Sequence, residues 1–533
     1  MSRDRYAGAA IPCVVIDTNS QPLVSGDTHG QPRTGHTGGV YRRLALYKVI
    51  GLLMVLLSNV PSRAQTVAPL RADTVIFTAA EFFGAVMQYH PLVRQAALFP
   101  EEARADIMQA RGAFDPKLSA TYDRKQFGPQ TNGDPLSSVY YNKWGSELSV
   151  PIAPLGTDVK VTYDRAFGAK LNPEATTPAT GLLGVGVNVP IGQTLLIDAR
   201  RNALRQARLG VNLADADRLK NINKTLFDAA KAYWEWYLSY RSYRLIDEGL
   251  QLADVRFQGT RLRALVGEVA TIDTTEALIT LQDRLVQRQQ AEVDLQNARL
   301  RLSAFLWAAN EQPVDLPANV IPQTAPTNAL ANETVQNLLD QALRQHPELL
   351  KLTAKTEQLR FEERFRRALI QPQVNLSAAL LSQTPTLLGT SVDRLPTYYA
   401  FGPENYKIGL DVVFPLFLRK ERGKLKQVQL KGQQLVLERQ QTERDIQNDI
   451  LAARNELQTL ARQVTVQEQT FINQRRLVQA EQQKFSLGES SLFLVNSRES
   501  KLIDLGVKLE ELRTKYQKAL ANLWYVAGTN QMP

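Results

Sequence analysis

IQNDILAARNELQTLARQV, residues 446–464, places Ile446, Ile450, Ala453, Leu457, Leu460 and Val464 at steps that alternate between four and three residues. That 3.5-residue period is the mark of helices that supercoil around one another. The segment lies inside a proline-free stretch of 117 residues, 416–532, rich in Leu, Ala, Gln, Arg and Glu. These residue types are all good helix formers. A second proline-free stretch, 191–312, runs for 122 residues. It carries Leu219, Ile222, Leu226, Ala229, Tyr233, Trp236, Tyr240 and Tyr243 in the same alternation.

The two stretches are halves of a tandem repeat. His90-Pro91 and His346-Pro347 lie 256 residues apart, as do Pro116 and Pro372. Each His-Pro follows a short amphipathic helical segment, Ala79 to Tyr89 and Thr334 to Gln345. A charged helical run comes next in each copy, and then alternating strand-like segments. The reading of the chain is a leader over 1–64, a first repeat over 65–312 with strands in 116–190, a linker at 313–332, and a second repeat over 333–533 with strands in 373–415.

Each long stretch has one plausible reversal, Leu265–Thr271 around Gly267 and Ser486–Ser491 around Gly488. Glycine closes a helix in the left-handed conformation, and the Thr or Ser after it can cap the next helix. Gly267 falls 76 residues after Ile191, and Gly488 falls 72 after Leu416. A helix of about 72 residues is on the order of 110 Å long. The returning arms, to 312 and 532, are 45 and 44 residues, so each needs its short His-Pro segment to complete the climb. Each repeat therefore reads as a long helix down, a tip, and a return made in two parts.

The strand-like segments alternate apolar and polar residues. In the first repeat they are Leu118/Ala120/Tyr122, Trp144/Leu148/Val150, Val159/Val161/Tyr163 and Val185/Val187/Val189. In the second they are Val374/Leu376/Ala378/Leu380 and Ile408/Leu410/Val412. An ordinary soluble sheet alternates in the same way. Lengths near ten residues also suit a tilted transmembrane strand. Chain parity requires an even count in each repeat, and four plus two satisfies it, with a possible additional hairpin around Pro151–Gly156. Six strands cannot enclose a useful pore, since small closed barrels need about eight. A lumen therefore requires several chains.

Composition excludes several function classes. Of 533 residues, 22% are charged and 8% aromatic, which is the balance of an ordered protein. The net charge is +10. Residues 1–64 hold seven basic and three acidic side chains; the rest keep 56 and 50 in mixed order, without the patch of a nucleic-acid binder. Arg42-Arg43, the apolar run Leu44 to Val60 and Ser62-Arg63-Ala64 read as a secretory signal with Gln65 as the mature start. A membrane anchor helix is the alternative, and translation from near Val40 would explain the long segment before it. The one cysteine, Cys13, precedes the signal, so the mature chain has no disulfide, thiol nucleophile or lipid-attachment cysteine. No catalytic constellation is present and no cofactor or metal is expected. His90 and His346 are read as structural caps, and the aromatic run Tyr233–Tyr243 as coil packing. Glu362–Arg367 is expected to be a solvated face or a membrane-proximal collar.

In order and duplication these motifs resemble the TolC family of outer-membrane factors. The resemblance spans about 75–530 and rests on the two His-Pro pairs, Phe114-Asp115-Pro116, the strand-ending Val189-Pro190 and Phe414-Pro415, and the glycine tips. It implies a mixed α and β fold: a homotrimer whose chains share one transmembrane β-barrel and one α-helical coiled-coil barrel. It implies an outer-membrane exit duct for efflux or type I secretion reaching into the periplasm. Partners would be a periplasmic adaptor, an inner-membrane RND, ABC or MFS pump, and outer-membrane lipid, with no nucleic acid. Carried over by position, the adaptor-docking tips comprise Val266, Gly267, Glu268, Thr271 and Asp273, and Leu487, Gly488, Glu489, Ser490 and Val495. Family members often line the entrance with aspartates just past the second tip. Leu494 and Ser497 stand at those positions here, leaving Asp273 or Glu276 to supply any acidic ring. A different reading is a periplasmic coiled-coil scaffold or adaptor with no barrel.

Overall fold

The structure is a computed structural model that describes residues 75–126, 139–153, 156–168, 171, 176–178, 180–193, 195, 197–326, 331–383 and 401–529. The signal segment and leader lie outside the described residues. No described helix is long and apolar enough to cross a membrane.

Short strand β1 (Val75–Phe77) leads into α1 (Ala79–Tyr89) and α2 (Pro91–Arg111). Strands β2 (Lys117–Gln126), β3 (Val139–Ile152), β4 (Thr157–Phe167) and β5 (Leu182–Pro190) follow, then the long hairpin α3 (Ala199–Leu265) and α4 (Thr271–Ser303). After β6 (Val320–Pro322) the plan repeats with α5 (Asn332–Gln345), α6 (Pro347–Ala368), β7 (Gln373–Gln383), β8 (Tyr406–Val413), α7 (Arg419–Ser486) and α8 (Leu492–Val526).

The repeat-equivalent histidines are caps. His90 ends α1 and begins α2, and its Nδ1 accepts the Leu92 N–H at 3.2 Å. His346 does the same between α5 and α6, accepting the Glu348 N–H at 3.2 Å. Pro at the first helical position completes each junction, because its missing N–H would be unsatisfied there anyway. Burial pushes both imidazoles below the ordinary histidine range.

The long helices have 67 and 68 residues, about 100 Å each. They begin later than the proline-free stretches. Residues 191–193 instead bind the second repeat: the Ile191 N–H donates to Val374 O at 2.8 Å and the Gln193 N–H to Pro372 O at 3.1 Å. Asp198 then caps α3 by accepting the Arg201 N–H at 2.6 Å. The returning arms are also shorter than expected, 33 and 35 residues rather than 45 and 44. After Ser303 the chain turns, bridges Trp307 to Pro313, and enters β6, which pairs in parallel with β1. Length still closes. Helices α1, α2 and α4 have 11, 21 and 33 residues against 67 in α3. Helices α5, α6 and α8 have 14, 22 and 35 against 68 in α7.

Each repeat has its own core where the short and long helices meet. In the first, Phe82 and Val86 pack with Tyr233, Trp236, Tyr237 and Leu302. The Tyr233 hydroxyl donates to Phe77 O at 2.7 Å. The aromatic run is thus helix packing. In the second, Leu338, Ala342 and Leu349 pack with Ile450, Leu457, Tyr516 and Leu523. The charged segment expected to be solvated is in part a tie between repeats. Glu362 accepts from Asn202 Nδ2 and Gln206 Nε2, both at 2.7 Å, and Phe365 is buried.

The six long strands form one antiparallel sheet in the order β2-β3-β4-β5-β7-β8, four from the first repeat and two from the second. Strand β3 runs on to Ile152 and β4 begins at Thr157, so no additional strand is described around Pro151–Gly156, of which Pro154 and Leu155 lie outside the described residues. The register places Leu118, Leu148, Val161, Val185, Leu380 and Tyr406 on one row, and Ala378 and Ile408 on the next row of the same face. The other face carries Lys117, Ser119, Thr121, Asp123, Lys143, Glu147, Lys160, Asp164, Lys407 and Asp411. A Lys160–Glu147 ion pair at 2.7 Å lies on this polar face.

Candidate functional site at the hairpin tips

The two tips are built alike from their backbones upward. Gly267 has φ +80° and Gly488 φ +81°. The Gly267 N–H donates to Ala264 O at 3.1 Å and the Glu268 N–H to Arg263 O at 2.9 Å. The Gly488 N–H donates to Phe485 O at 3.1 Å and the Glu489 N–H to Lys484 O at 2.9 Å. Both are left-handed glycine terminations that satisfy the last helical carbonyls. Nothing lies within 4 Å of a Cβ added at either glycine.

The restarts differ. Ser491 caps α8, its Oγ accepting the Leu494 N–H at 3.4 Å, while Ser490 donates to Glu481 at 2.6 Å. Thr271, expected to cap, is instead the first residue of α4, and Ala270 before it gives no side-chain bond. The tips sit together: the Arg263 guanidinium lies 5.9 Å from the Phe485 ring centre and pairs with Glu268 at 3.1 Å.

Large apolar side chains stand out on the tip surface. Leu265, Val266, Ile272, Leu487 and Phe493 are 65–76% exposed. Gly267, Glu268, Thr271, Gly488 and Glu489 are also exposed. Val495, expected on the docking surface, is 1% exposed, because it takes an inward position on α8 with Leu492. Asp273 and Glu276 are half-buried on α4, and Leu494 and Ser497 are exposed on α8.

Behind the tips lies a polar network the sequence reading missed. Arg256 of α3 donates to Glu499 of α8 at 2.6 Å through one guanidinium nitrogen and also pairs with it through a second. It donates to Asn496 at 2.9 Å. Gln482 of α7 donates to Glu499 at 2.7 Å. Arg284 of α4, buried, donates to Ser500 at 2.6 Å and Gln287 at 2.7 Å. Asn496 and Thr280 are 3.4 Å apart. All four helices of the two hairpins are joined here by side chains alone. The signal in the sequence is heptad position: Ala277, Arg284, Ala291 and Ala298 are spaced by seven, as are Leu492, Glu499 and Gly506. A charge at a seam position needs a partner across the seam.

A second buried network lies nearer the repeat cores. The Tyr237 hydroxyl donates to Glu510 at 2.6 Å, and Arg241 and Arg513 pair with the same carboxylate at 3.4 and 3.1 Å. Burial first, and then the Glu510 charge, push the Tyr237 hydroxyl well above its ordinary range.

Residues 338–529 match the outer membrane efflux protein family model. No curated protein matches the sequence. Among solved structures, the fold is similar to the CmeC outer membrane channel of Campylobacter jejuni, at 14% identity over 84% of this chain and 85% of that one, TM-score 0.57. It is similar to VceC of Vibrio cholerae, at 15% identity over 84% and 96%, TM-score 0.57. It is also similar to the open-state MtrE channel of Neisseria gonorrhoeae, at 14% identity over 87% and 94%, TM-score 0.59. The fold is that of the TolC-like outer-membrane factors. The second repeat of this chain carries their outer membrane efflux protein domain.

Proposed function

We propose that the chain is an outer-membrane exit duct for efflux or type I secretion, working as a homotrimer with a periplasmic adaptor and an inner-membrane pump. The observation that carries this reading is the six-stranded sheet with one apolar and one polar face, set at the end of helical hairpins about 100 Å long. An apolar outer face suits hydrocarbon and a polar inner face suits a water-filled lumen. A periplasmic scaffold without a barrel would have no use for exposed Leu118, Ile408, Leu410 and Val412, which are 58–78% exposed.

The chain conducts passively and performs no chemistry of its own. The exposed apolar tips receive the adaptor. The Arg256–Glu499 network holds the hairpins together, and adaptor binding favours a splayed arrangement, shifting the population towards open. Asp273, Glu276, Leu494 and Ser497 line the entrance. Mature protein taken from the outer-membrane fraction is expected to give small discrete openings in a planar bilayer at trimer mass. A soluble periplasmic monomer without conductance would reject the duct.

A further inference from the structure

A cavity of about 340 Å³ lies between the two hairpins, walled by all four of their helices. Leu245 and Leu252 of α3, Phe471 and Val478 of α7 and Leu502 of α8 make its sides apolar. Four charged residues also line it, Glu248, Arg284, Arg475 and Glu499. Each carboxylate already has an arginine from outside the cavity. Glu499 pairs with Arg256, and Glu248 with Arg244 at 3.7 Å. The two lining arginines pair with no carboxylate among the described residues. Arg284 is 5% exposed, and its two terminal nitrogens donate to the neutral oxygens of Gln287 and Ser500 at 2.7 and 2.6 Å. Arg475 is exposed, its guanidinium 5.0 Å from the Phe471 ring centre.

We propose that this cavity takes a small organic anion, a carboxylate on an apolar body, with the carboxylate against Arg284 and the body among Leu252, Phe471 and Val478. A guanidinium stays charged in a protein, and a buried charge without an opposite one is costly. Gln287 and Ser500 satisfy two N–H groups of Arg284 but leave its charge uncompensated. The remaining N–H groups form the fork that suits a carboxylate. Water could fill the space but would bring no charge. An apolar chamber with a few convergent polar groups is the usual build of a small-molecule site, and about 340 Å³ falls within the usual range of about 300–1,000 Å³.

Exposed Leu252 and Arg475 mark the mouth, between α3 and α7, and buried Arg284 marks the floor. Arg475 draws the anion in and Arg284 holds it. The site is built from both hairpins, with Leu252 and Arg284 from the first and Phe471 and Val478 from the second. It exists only while the hairpins lie together, and splaying would take it apart. A ligand that binds one arrangement shifts the population towards it. The anion therefore acts as a closing effector. Binding itself does not depend on the duct reading above; the closing effect rests on it.

The test is a calorimetric titration of the detergent-solubilised protein with naphthoate, and with naphthylmethylammonium, which has the same rings and the opposite charge. Saturable binding of the anion and none of the cation is expected. R284Q is expected to weaken the anion roughly tenfold or more, the worth of a hydrogen bond to a charged group. V478F fills the chamber, keeps both arginines and is expected to abolish binding. Equal binding of the two ions, or anion binding that survives both R284Q and V478F, would overturn the site. No binding to the native protein would overturn it as well, and that measurement needs no variant to fold. In a planar bilayer, naphthoate is expected to shorten the openings of the native protein and leave those of V478F unchanged. Saturable binding with unaltered openings would overturn the closing effect alone. A protein that binds the anion and never conducts would remove the duct reading and leave the site standing.

Discussion

Arg256 and Glu499 face each other across the two hairpins, one on α3 and the other on α8, with Glu499 buried. Their nearest supports, Asn496 and Gln482, are also drawn from the second hairpin. Splaying the hairpins apart would break this pair. E499Q leaves the Arg256 charge without its carboxylate, and breaking a buried pair from one side costs about 3–5 kcal/mol. The variant is expected to conduct in longer and larger openings in a planar bilayer. The exchange R256E/E499R is expected to return conductance towards that of the native protein. Unchanged openings in E499Q would show that this pair does not hold the entrance.

Gly267 and Gly488 are held left-handed with open space around them, so a substitution there strains the backbone alone. Left-handed geometry costs an L-residue about 1–2 kcal/mol. G488A is expected to loosen the last turn of α7, seen as faster amide exchange at 484–489, with little change near Tyr516. G488N is expected to exchange more slowly than G488A, because Asn tolerates this conformation better. Equal exchange in all three proteins would mean the tip does not depend on the glycine.

Much of this architecture is legible in the sequence because it is written twice. The His-Pro junctions, the glycine tips and the alternating strands each occur in both repeats, so each copy checks the other. The helix starts are less legible. Absence of proline permits a helix from Ile191 but does not require one, and the backbone of Pro372 and Val374 claims residues 191–193 first. Arg256 and Glu499 were invisible for another reason: nothing in one helix says which helix will face it. Arg284 was readable in principle, as the charged member of a heptad otherwise filled by Ala277, Ala291 and Ala298.

The histidine caps make the junctions sensitive to acid. In each, Nδ1 accepts a backbone N–H, so the cap requires the neutral ring, and burial lowers both folded pKa values. The unfolded chain therefore binds protons more readily. The stability these caps contribute is complete above the unfolded histidine pKa of about 6.5 and is lost as pH falls below it. H90N/H346N keeps an acceptor for the cap and removes the titration. Its melting temperature is expected to fall less between pH 7.5 and pH 5.5 (two buffers on either side of that value, about 6.5) than the native protein's. Parallel curves for the two proteins would place the acid sensitivity elsewhere.

Leu410 and Asp411 are neighbours in β8 that point to opposite faces, as the register with Leu376 and Asn375 fixes. Leu410 lies on the apolar face and is 66% exposed in the single chain. If that face meets hydrocarbon, an arginine there costs about 2–4 kcal/mol near the bilayer midplane, while the same charge in a water-filled lumen costs little. L410R is therefore expected to reduce recovery from the outer-membrane fraction sharply. D411R is expected to insert normally and shift ion selectivity towards anions, because it replaces a lumenal carboxylate with a cation. The contrast separates the faces without reference to the tips. Equal insertion of L410R and D411R would mean that the face bearing Leu118, Val185 and Ile408 does not contact lipid, and the sheet would then have to be read as soluble.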